Sequence, residues 1–228
     1  MNGRPLVSVH MAVKNGRRFL GQALDSVFAQ SYDNVEVVVV DGGSTDGSVE
    51  LAESYPGVRC LAQQGTGFAG AWNEAVEASA GPLLAFIDSD DRWGATKLER
   101  QVALLTGPDA CDLVVTNVRF VLEPGTEMPP GFRPSLLNGA HLARMPSALM
   151  IRRNRFERVG PFRTDFTIAS DIEWFSRAHD LGLRLGVVEE ELVHKRVHDS
   201  NLSYFEAQDL NAELLRLLRE SVQRRTPS

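Results

Sequence analysis

"AFIDSDDRW", residues 85–93, runs from smooth apolar chain into three carboxylates within four residues: Asp88, Asp90 and Asp91. Like charges this close repel one another and disfavour a strand. One reading is a solvated turn whose Asp or Ser caps a helix beginning near Ala95. The other is a divalent cation held against phosphates, because hard cations take carboxylate oxygens and a cation relieves the repulsion.

The chain on either side favours the second reading. "LVSVHMAV" (6–13) is rich in β-branched residues and reads as a buried strand. In "NGRRFLGQALDSVFAQSY", Phe19, Leu20, Ala23, Leu24, Val27 and Phe28 recur at helical spacing. "VEVVVVD" (35–41) is a second buried strand, and "GGSTDGS" is a turn in which Thr45 or Asp46 caps the helix "SVELAESY". "VRCLAQ" is a short strand. "GFAGAWNEAVEASAG" is a helix closed by Gly81, and "PLLAFID" is the next strand. Alternation of this kind implies a parallel sheet flanked by helices. Ligands of such sheets bind beyond the carboxyl ends of the strands, where Asp41 and Asp88 both fall.

From about residue 107 the pattern changes. "CDLVVTNVRFVL" is a longer strand, residues 123–135 a Pro- and Gly-rich loop, "PSALMIRR" a strand and "NRFERVG" a short helix. "ASDIEWFSRAHDLG" is a helix that opens with Ser170-x-x-Glu173, a capping box. Ile172, Phe175 and Leu181 are expected to anchor it, and Trp174 is assigned to the core rather than to an acceptor platform. "LRLGVVEEELVHKRV" is strand-like. The tail "SYFEAQDLNAELLRLLRESVQRR" is an amphipathic helix with Leu210, Leu214, Leu217 and Leu218 on one face.

The whole chain, 228 residues with 43% hydrophobic and 24% charged, suits one large domain. A net charge of −6 leaves no general nucleic-acid footprint, and two cysteines without a CxxC argue against a disulfide framework and against a zinc site. "MNGRPLVSVHMAV" reads as a first strand and not a signal peptide. No apolar run reaches the ~18 residues of a membrane span. A cytoplasmic location is the resulting expectation.

Four stretches in order resemble family 2 glycosyltransferases with the glycosyltransferase A fold. They are the opening "VSVHMAVKNGRRFLGQALDSVFAQSYDNVEVVVVDGGSTDGS", the segment "GFAGAWNEAVEASAGPLLAFIDSDDRW", the helix "FTIASDIEWFSRAHDLG" and the basic segment "HKRVHDSNLS". The resemblance covers about residues 5–203. It departs from the family where the nucleotide is read. Lys14-Asn15 stands for Tyr-Asn, Gly42-Gly43 follows Asp41 where many members have a second acid, and Ala71-Trp72-Asn73 stands for Ala-Arg-Asn.

The resemblance implies an α/β fold of one glycosyltransferase A-type domain. Its Rossmann-like, mostly parallel central sheet is flanked by helices and followed by a C-terminal helical tail. Residues 1–106 would be the nucleotide-sugar half, 107–203 the acceptor and catalytic-base half, and 204–228 the tail. Asp88 and Asp90 would be the Asp-x-Asp pair around Ser89. Asp90 would be the better ligand of Mn2+ or Mg2+, and Asp88 would face the ribose or sugar. Asp91 would stand behind them or cap a helix. The backbone around Ala12, Val13 and Lys14 would line the base, the Lys14 side chain would pair with a phosphate or lie exposed, Asn15 would also touch the donor, and Asp41 would bond the nucleoside. Asn73 lies where the family reads the nucleotide. Arg196, with Lys195, would neutralise phosphate unless the pair lies on a solvated strand edge. His198 is a further metal candidate, and Asp171 is the expected base.

The implied reaction is inverting, metal-dependent transfer from a nucleoside-diphosphate sugar, UDP-sugar favoured. The acceptor is a hydroxyl of a glycan, natural product or peptide. A sugar-phosphate nucleotidyltransferase is the alternative, though no Gly-rich phosphate loop follows the first strand. A non-catalytic binding subunit is a third reading. No nucleic-acid partner is expected, peripheral membrane contact stays open, and the tail helix from about Phe205 is expected to pack on the body or on a second copy of the chain.

Overall fold

The structure is a computed structural model that describes residues 3–199, 201 and 207–225. The first half alternates as read: β1 (Val7–Val13), α1 (Arg17–Phe28), β2 (Val35–Asp41), α2 (Ser48–Glu53), β3 (Val58–Ala62), α3 (Gly67–Glu77) and β4 (Leu83–Asp88). A two-residue strand β5 (Arg92–Trp93), α4 (Lys97–Thr106) and the long β6 (Leu113–Leu122) follow. Then come β7 (His141–Leu142), β8 (Met150–Arg152), α5 (Arg153–Val159), α6 (Ser170–Asp180), β9 (Leu185–Val197) and the terminal helix α7 (Ala207–Arg225).

Among the described residues the strands join one sheet in the order β3-β2-β1-β4-β8-β6-β9-β5, with β7 beside β6. β1 lies between β2 and β4, parallel to both, with Val13 opposite Asp41 and Ala12 opposite Asp88. The two acidic strand ends therefore flank β1. The chain reverses its direction across the sheet after β3, which makes the crevice beside β1 a switch point. β8 pairs antiparallel with β4 and β6, and β6 pairs parallel with β9. β9 carries extra residues opposite Thr116 and Asn117. The bulged carbonyls of Glu190 and Glu189 accept from Thr116 Oγ1 (2.7 Å) and Asn117 Nδ2 (2.6 Å). A bulge bends a strand, and beyond it β9 meets β5, with Trp93 opposite Val193 and Arg92 opposite His194.

The core is aliphatic along β1, β2, β4 and β6. An aromatic group lies under α6. There Trp174, fully buried, stacks on Phe156 at 5.6 Å, and Phe162 meets Phe86 edge-on at 5.5 Å. Trp174 is thus core, and its indole N–H donates to Gly160 O (2.9 Å). His10 is buried inside β1, with its ring nitrogens 3.1 Å from Ala85 O and 2.9 Å from Ser79 Oγ. Burial pushes its pKa down to about 3, so it is neutral there.

Several local expectations are overturned. α2 is capped by Gly47 in a left-handed conformation rather than by Thr45 or Asp46; Asp46 Oδ1 takes the Ser48 N–H from outside (3.0 Å). α3 ends at Glu77 rather than at Gly81. Arg153 donates to Val76 O in the last turn of α3 and to Ser79 O and Gly81 O in the segment that follows it. Gly81 is glycine because a Cβ there would lie 2.5 Å from Ser8 Oγ. The helix expected near Ala95 starts at Lys97. "PSALMIRR" is a 3-10 turn before a three-residue strand. Phe28 is exposed and stacks on Tyr55 instead of joining the α1 core face.

On α6, Ile172 and Leu181 are exposed, and the anchors are Trp174, Phe175 and Ala178. No capping box forms. Ala169 is the cap residue, and the Glu173 carboxylate turns forward to Arg177 Nε, 2.9 Å from each oxygen. Leu210, Leu214 and Leu217 of α7 pack against Phe166 and Ala169, but Leu218 is exposed. The expected start of that helix near Phe205 lies outside the described residues. No described helix is long and apolar enough to cross a membrane.

Candidate active site

The site lies beyond the carboxyl ends of β1, β2 and β4. Asp41 ends β2 and is 6% exposed. Its Oδ2 accepts the N–H groups of Gly43 (3.0 Å) and Ser44 (2.9 Å), which folds the Gly42–Gly43 turn around the carboxylate. Its Oδ1 is buried without a protein hydrogen bond, a free acceptor of the sort a nucleoside hydroxyl or base N–H would satisfy. Beside it lies a cleft of about 200 Å³ lined by Ala12, Val13, Lys14, Gln63, Gly67 and Phe68. Asn15, at the rim with φ +52°, takes the Thr45 N–H on Oδ1 (2.9 Å), which ties the loop after β1 to the loop after β2. Gly16 lets α1 begin against the acidic turn. A Cβ there would sit 2.7 Å from Val13 Cγ2 and 3.2 Å from Ser89 Oγ.

At the end of β4, Asp88, Asp90 and Asp91 each offer a carboxylate oxygen within 4.8 Å of the others. The polypeptide holds this turn from three sides. The Asp88 N–H donates to Ser147 Oγ (3.0 Å), and Trp93 Nε1 donates to Ser147 O (2.9 Å). The β5–β9 pairing brings the basic end of β9 over the turn. Lys195 Nζ donates to Asp88 Oδ2 at 2.7 Å, and it lies 3.3 Å from Asp91 Oδ2 and 4.0 Å from Asp90 Oδ1. The Asp91 carboxylate, fully buried, takes the Arg196 N–H on Oδ1 (3.2 Å), so it stands behind the pair and caps no helix.

His198 Nε2 lies 3.0 Å from Asp90 Oδ2, and Asn201 Nδ2 donates to the same oxygen at 3.1 Å. Burial opposes ionisation of Asp90, but Lys195 and His198 outweigh it and hold the carboxyl below the usual range. Burial pushes Asp91 up, to about 8, against the pull of Lys195.

Carboxylate oxygens converging this closely suit Mn2+ or Mg2+, and the half-buried Asp88 and Asp90 are the two that could hold one together with a phosphate. His198 stands outside the converging group, bonded to Asp90 from the side. Imidazole is also the poorer donor for these ions.

Asp171 opens α6, half-buried, and its Oδ1 takes the Ile172 N–H (2.7 Å). Burial pushes its carboxyl up to about 7; the Asp88 charge adds to the rise and Lys195 opposes it. Asp171 is thus within electrostatic reach of the acidic turn. Three N–H groups ahead of α6, those of Thr167, Ile168 and Ala169, bond the Glu213 carboxylate of α7 at 2.6–3.0 Å.

Two expected donor-binding residues bond the protein itself. The Asn73 amide bonds the Phe162 backbone both ways, Nδ2 to O at 2.8 Å and N to Oδ1 at 2.9 Å. Arg196 is buried over the Phe19 ring (4.3 Å). It bonds Gln22 Oε1, Glu123 and Asp90 O, so the pair 195–196 is no solvated strand edge. Nothing local in the sequence marks Ser147 or Glu213, whose partners lie far away in the chain. Only the Asn201 spacing, three residues beyond His198 in a turn, carried a local signal.

The pattern of Glycosyl transferase family 2 matches residues 8–171. Glycosyltransferase AglE of Haloferax volcanii is 32% identical over 194 residues, 79% of this chain and 64% of that protein. S. aureus TarS 1-349 in complex with UDP superposes with a TM-score of 0.74 at 21% identity, covering 95% of this chain and 65% of that one. Mannosyltransferase PcManGT from Pyrobaculum calidifontis, in complex with GDP-Man and Mn2+, has a TM-score of 0.71 at 22% identity and covers 97% and 65%. At such identities the two structures speak for the fold. The chain spans slightly less than two thirds of the length of each of these three relatives.

Proposed function

The chain belongs to glycosyl transferase family 2 and has the glycosyltransferase A fold, and from that membership we propose that it transfers a sugar from a nucleoside-diphosphate sugar to an acceptor hydroxyl, with inversion and with the help of Mn2+ or Mg2+. The observation that carries the reading is that Asp171, its carboxyl raised by burial to about 7, lies close enough to the acidic turn to feel the charge of Asp88. A base near neutrality on one side and metal-binding carboxylates on the other is what displacement of a diphosphate by a hydroxyl requires.

In this reading the cleft beside Val13 takes the base of the donor, and Asp41 Oδ1 accepts from the nucleoside. Asp88 and Asp90 hold the cation, with His198 and Asn201 fixing the orientation of Asp90. A bound cation supplies neutralisation of charge growing on the leaving diphosphate. Asp171 Oδ2 removes the proton of the acceptor hydroxyl as it attacks the anomeric carbon from the face opposite the diphosphate, which inverts that centre. The two structural relatives carry different nucleotides, UDP and GDP-Man, so UDP is favoured here on the family resemblance alone.

The test is turnover of UDP- and GDP-sugars with and without Mn2+. Release of nucleoside diphosphate supports the proposal. Pyrophosphate instead points to nucleotidyl transfer, and no turnover points to a binding subunit.

A further inference from the structure

A lysine side chain already occupies the place where the proposed cation would go. The Lys195 ammonium bonds Asp88 at 2.7 Å, stands 3.3 Å from Asp91 and 4.0 Å from Asp90, and is largely buried. Carboxyl oxygens of Asp88, Asp90 and Asp91 lie within 4.8 Å of one another, so the ammonium and a cation held by Asp88 and Asp90 would compete for the same place. The lysine is delivered by the register of β9. With His194 opposite Arg92, the next residue of β9 falls over the acidic turn.

We infer that Lys195 is a tethered counter-cation of the acidic turn, which competes with the divalent metal for Asp88 and gives the carboxylates up when a diphosphate enters with the metal.

Three physical arguments carry this. A divalent ion that uses Asp88 must replace a charge-assisted hydrogen bond, and it must also sit near a positive ammonium, so metal capture by the empty site is weakened twice. Loss of Asp88 leaves a largely buried ammonium in need of an anion. Because a donor diphosphate arriving at the end of β4 is that anion, the exchange pairs each cation with a new partner. Arg196 cannot do the same work, since its guanidinium is bonded to Gln22, Glu123 and Asp90 O. The consequence is ordered loading: nucleotide and metal bind together well, and metal alone binds poorly.

The inference rests on the metal-assisted reading above, and the experiment separates the two. Mn2+ binding is measured by calorimetry and by the electron paramagnetic resonance of free Mn2+, without nucleotide and with UDP or GDP. The parent protein is compared with Lys195→Met, with Lys195→Gln, which keeps a hydrogen bond to Asp88 without the charge, and with Lys195→Arg. The expected result is Mn2+ binding about 10-fold or more tighter in the nucleotide-free Met and Gln proteins. The gain in Mn2+ affinity on adding nucleotide shrinks in both, and Lys195→Arg stays near the parent. The Gln protein decides the matter if the Met protein does not fold. Uncharged variants that bind Mn2+ no tighter than the parent, while the parent binds it with nucleotide, overturn the inference alone. Absence of Mn2+ binding in every protein, nucleotide present, overturns the metal reading and the inference with it.

Discussion

Glu213 Oε2 accepts the Ala169 N–H at 2.8 Å, so the terminal helix holds the residue that immediately precedes the helix of Asp171. The same carboxylate takes the Thr167 and Ile168 N–H groups, and Arg216 of the same helix pairs with Asp165. Hydrogen bonds to a charged group contribute roughly 1.5–3 kcal/mol. Glu213→Ala is therefore expected to destabilise the protein by about that much in chemical denaturation and to lower turnover while nucleotide affinity holds. Unchanged stability and turnover would detach the tail from the site.

Asn73 and Phe162 make a reciprocal pair that ties α3 to the loop before α6. Asn73→Ala leaves both Phe162 backbone groups without that partner, at a cost of about 1–3 kcal/mol. Nucleotide affinity should barely change. A thermal-shift titration that shows weakened nucleotide binding with little loss of stability would return Asn73 to the donor.

In the proposed site His198 would act on the metal through Asp90, whose Oδ2 lies 3.0 Å from its Nε2. Groups that orient a ligand typically matter 10- to 100-fold in metal affinity. His198→Gln is expected to weaken nucleotide-dependent Mn2+ binding by roughly that factor, and Asp90→Ala should weaken it further. If His198→Gln binds Mn2+ like the parent, the Asp90–His198 bond is only structural.

Burial raises Asp171 to about 7, and a general base works only when ionised. The sign follows. Protonation below that pKa removes the base, so kcat/KM for donor turnover should climb about tenfold per pH unit up to about 7 and level off above it. Asp171→Asn should lose this inflection. A flat profile from pH 5.5 to 8 in the parent protein would contradict the assignment.

Much of this architecture is legible locally. The valine runs of β1 and β2 can only be buried, and charge at Asp41 and Asp88 can only stand where the strands end. What escapes the sequence is what distant partners decide. From the sequence Lys195 stands open between a phosphate partner and a solvated strand edge; its contact with the acidic turn is set only when β5 pairs with β9, more than 90 residues away in the chain. Ser170-x-x-Glu173 reads as a capping box. Arg177, one turn further on, competes for Glu173 and wins, while Glu213 from another helix meets the N–H groups ahead of α6. Helical periodicity finds the buried face of α7 at Leu214 and Leu217, but Leu218 turns out 59% exposed, a residue beyond the edge of that face.

The role proposed for Asp171 is to take the acceptor proton at a site whose donor is held by other residues. Its most direct test is single-turnover release of nucleoside diphosphate from the donor sugar by Asp171→Asn, read beside nucleotide affinity and melting temperature. The Asn side chain keeps the size and the Ile172 hydrogen bond, so stability and nucleotide affinity should stay near the parent. The rate should fall ~100- to 10,000-fold, the usual weight of a general base. An Asp171→Asn protein that turns over its donor at near the parent rate would contradict the account.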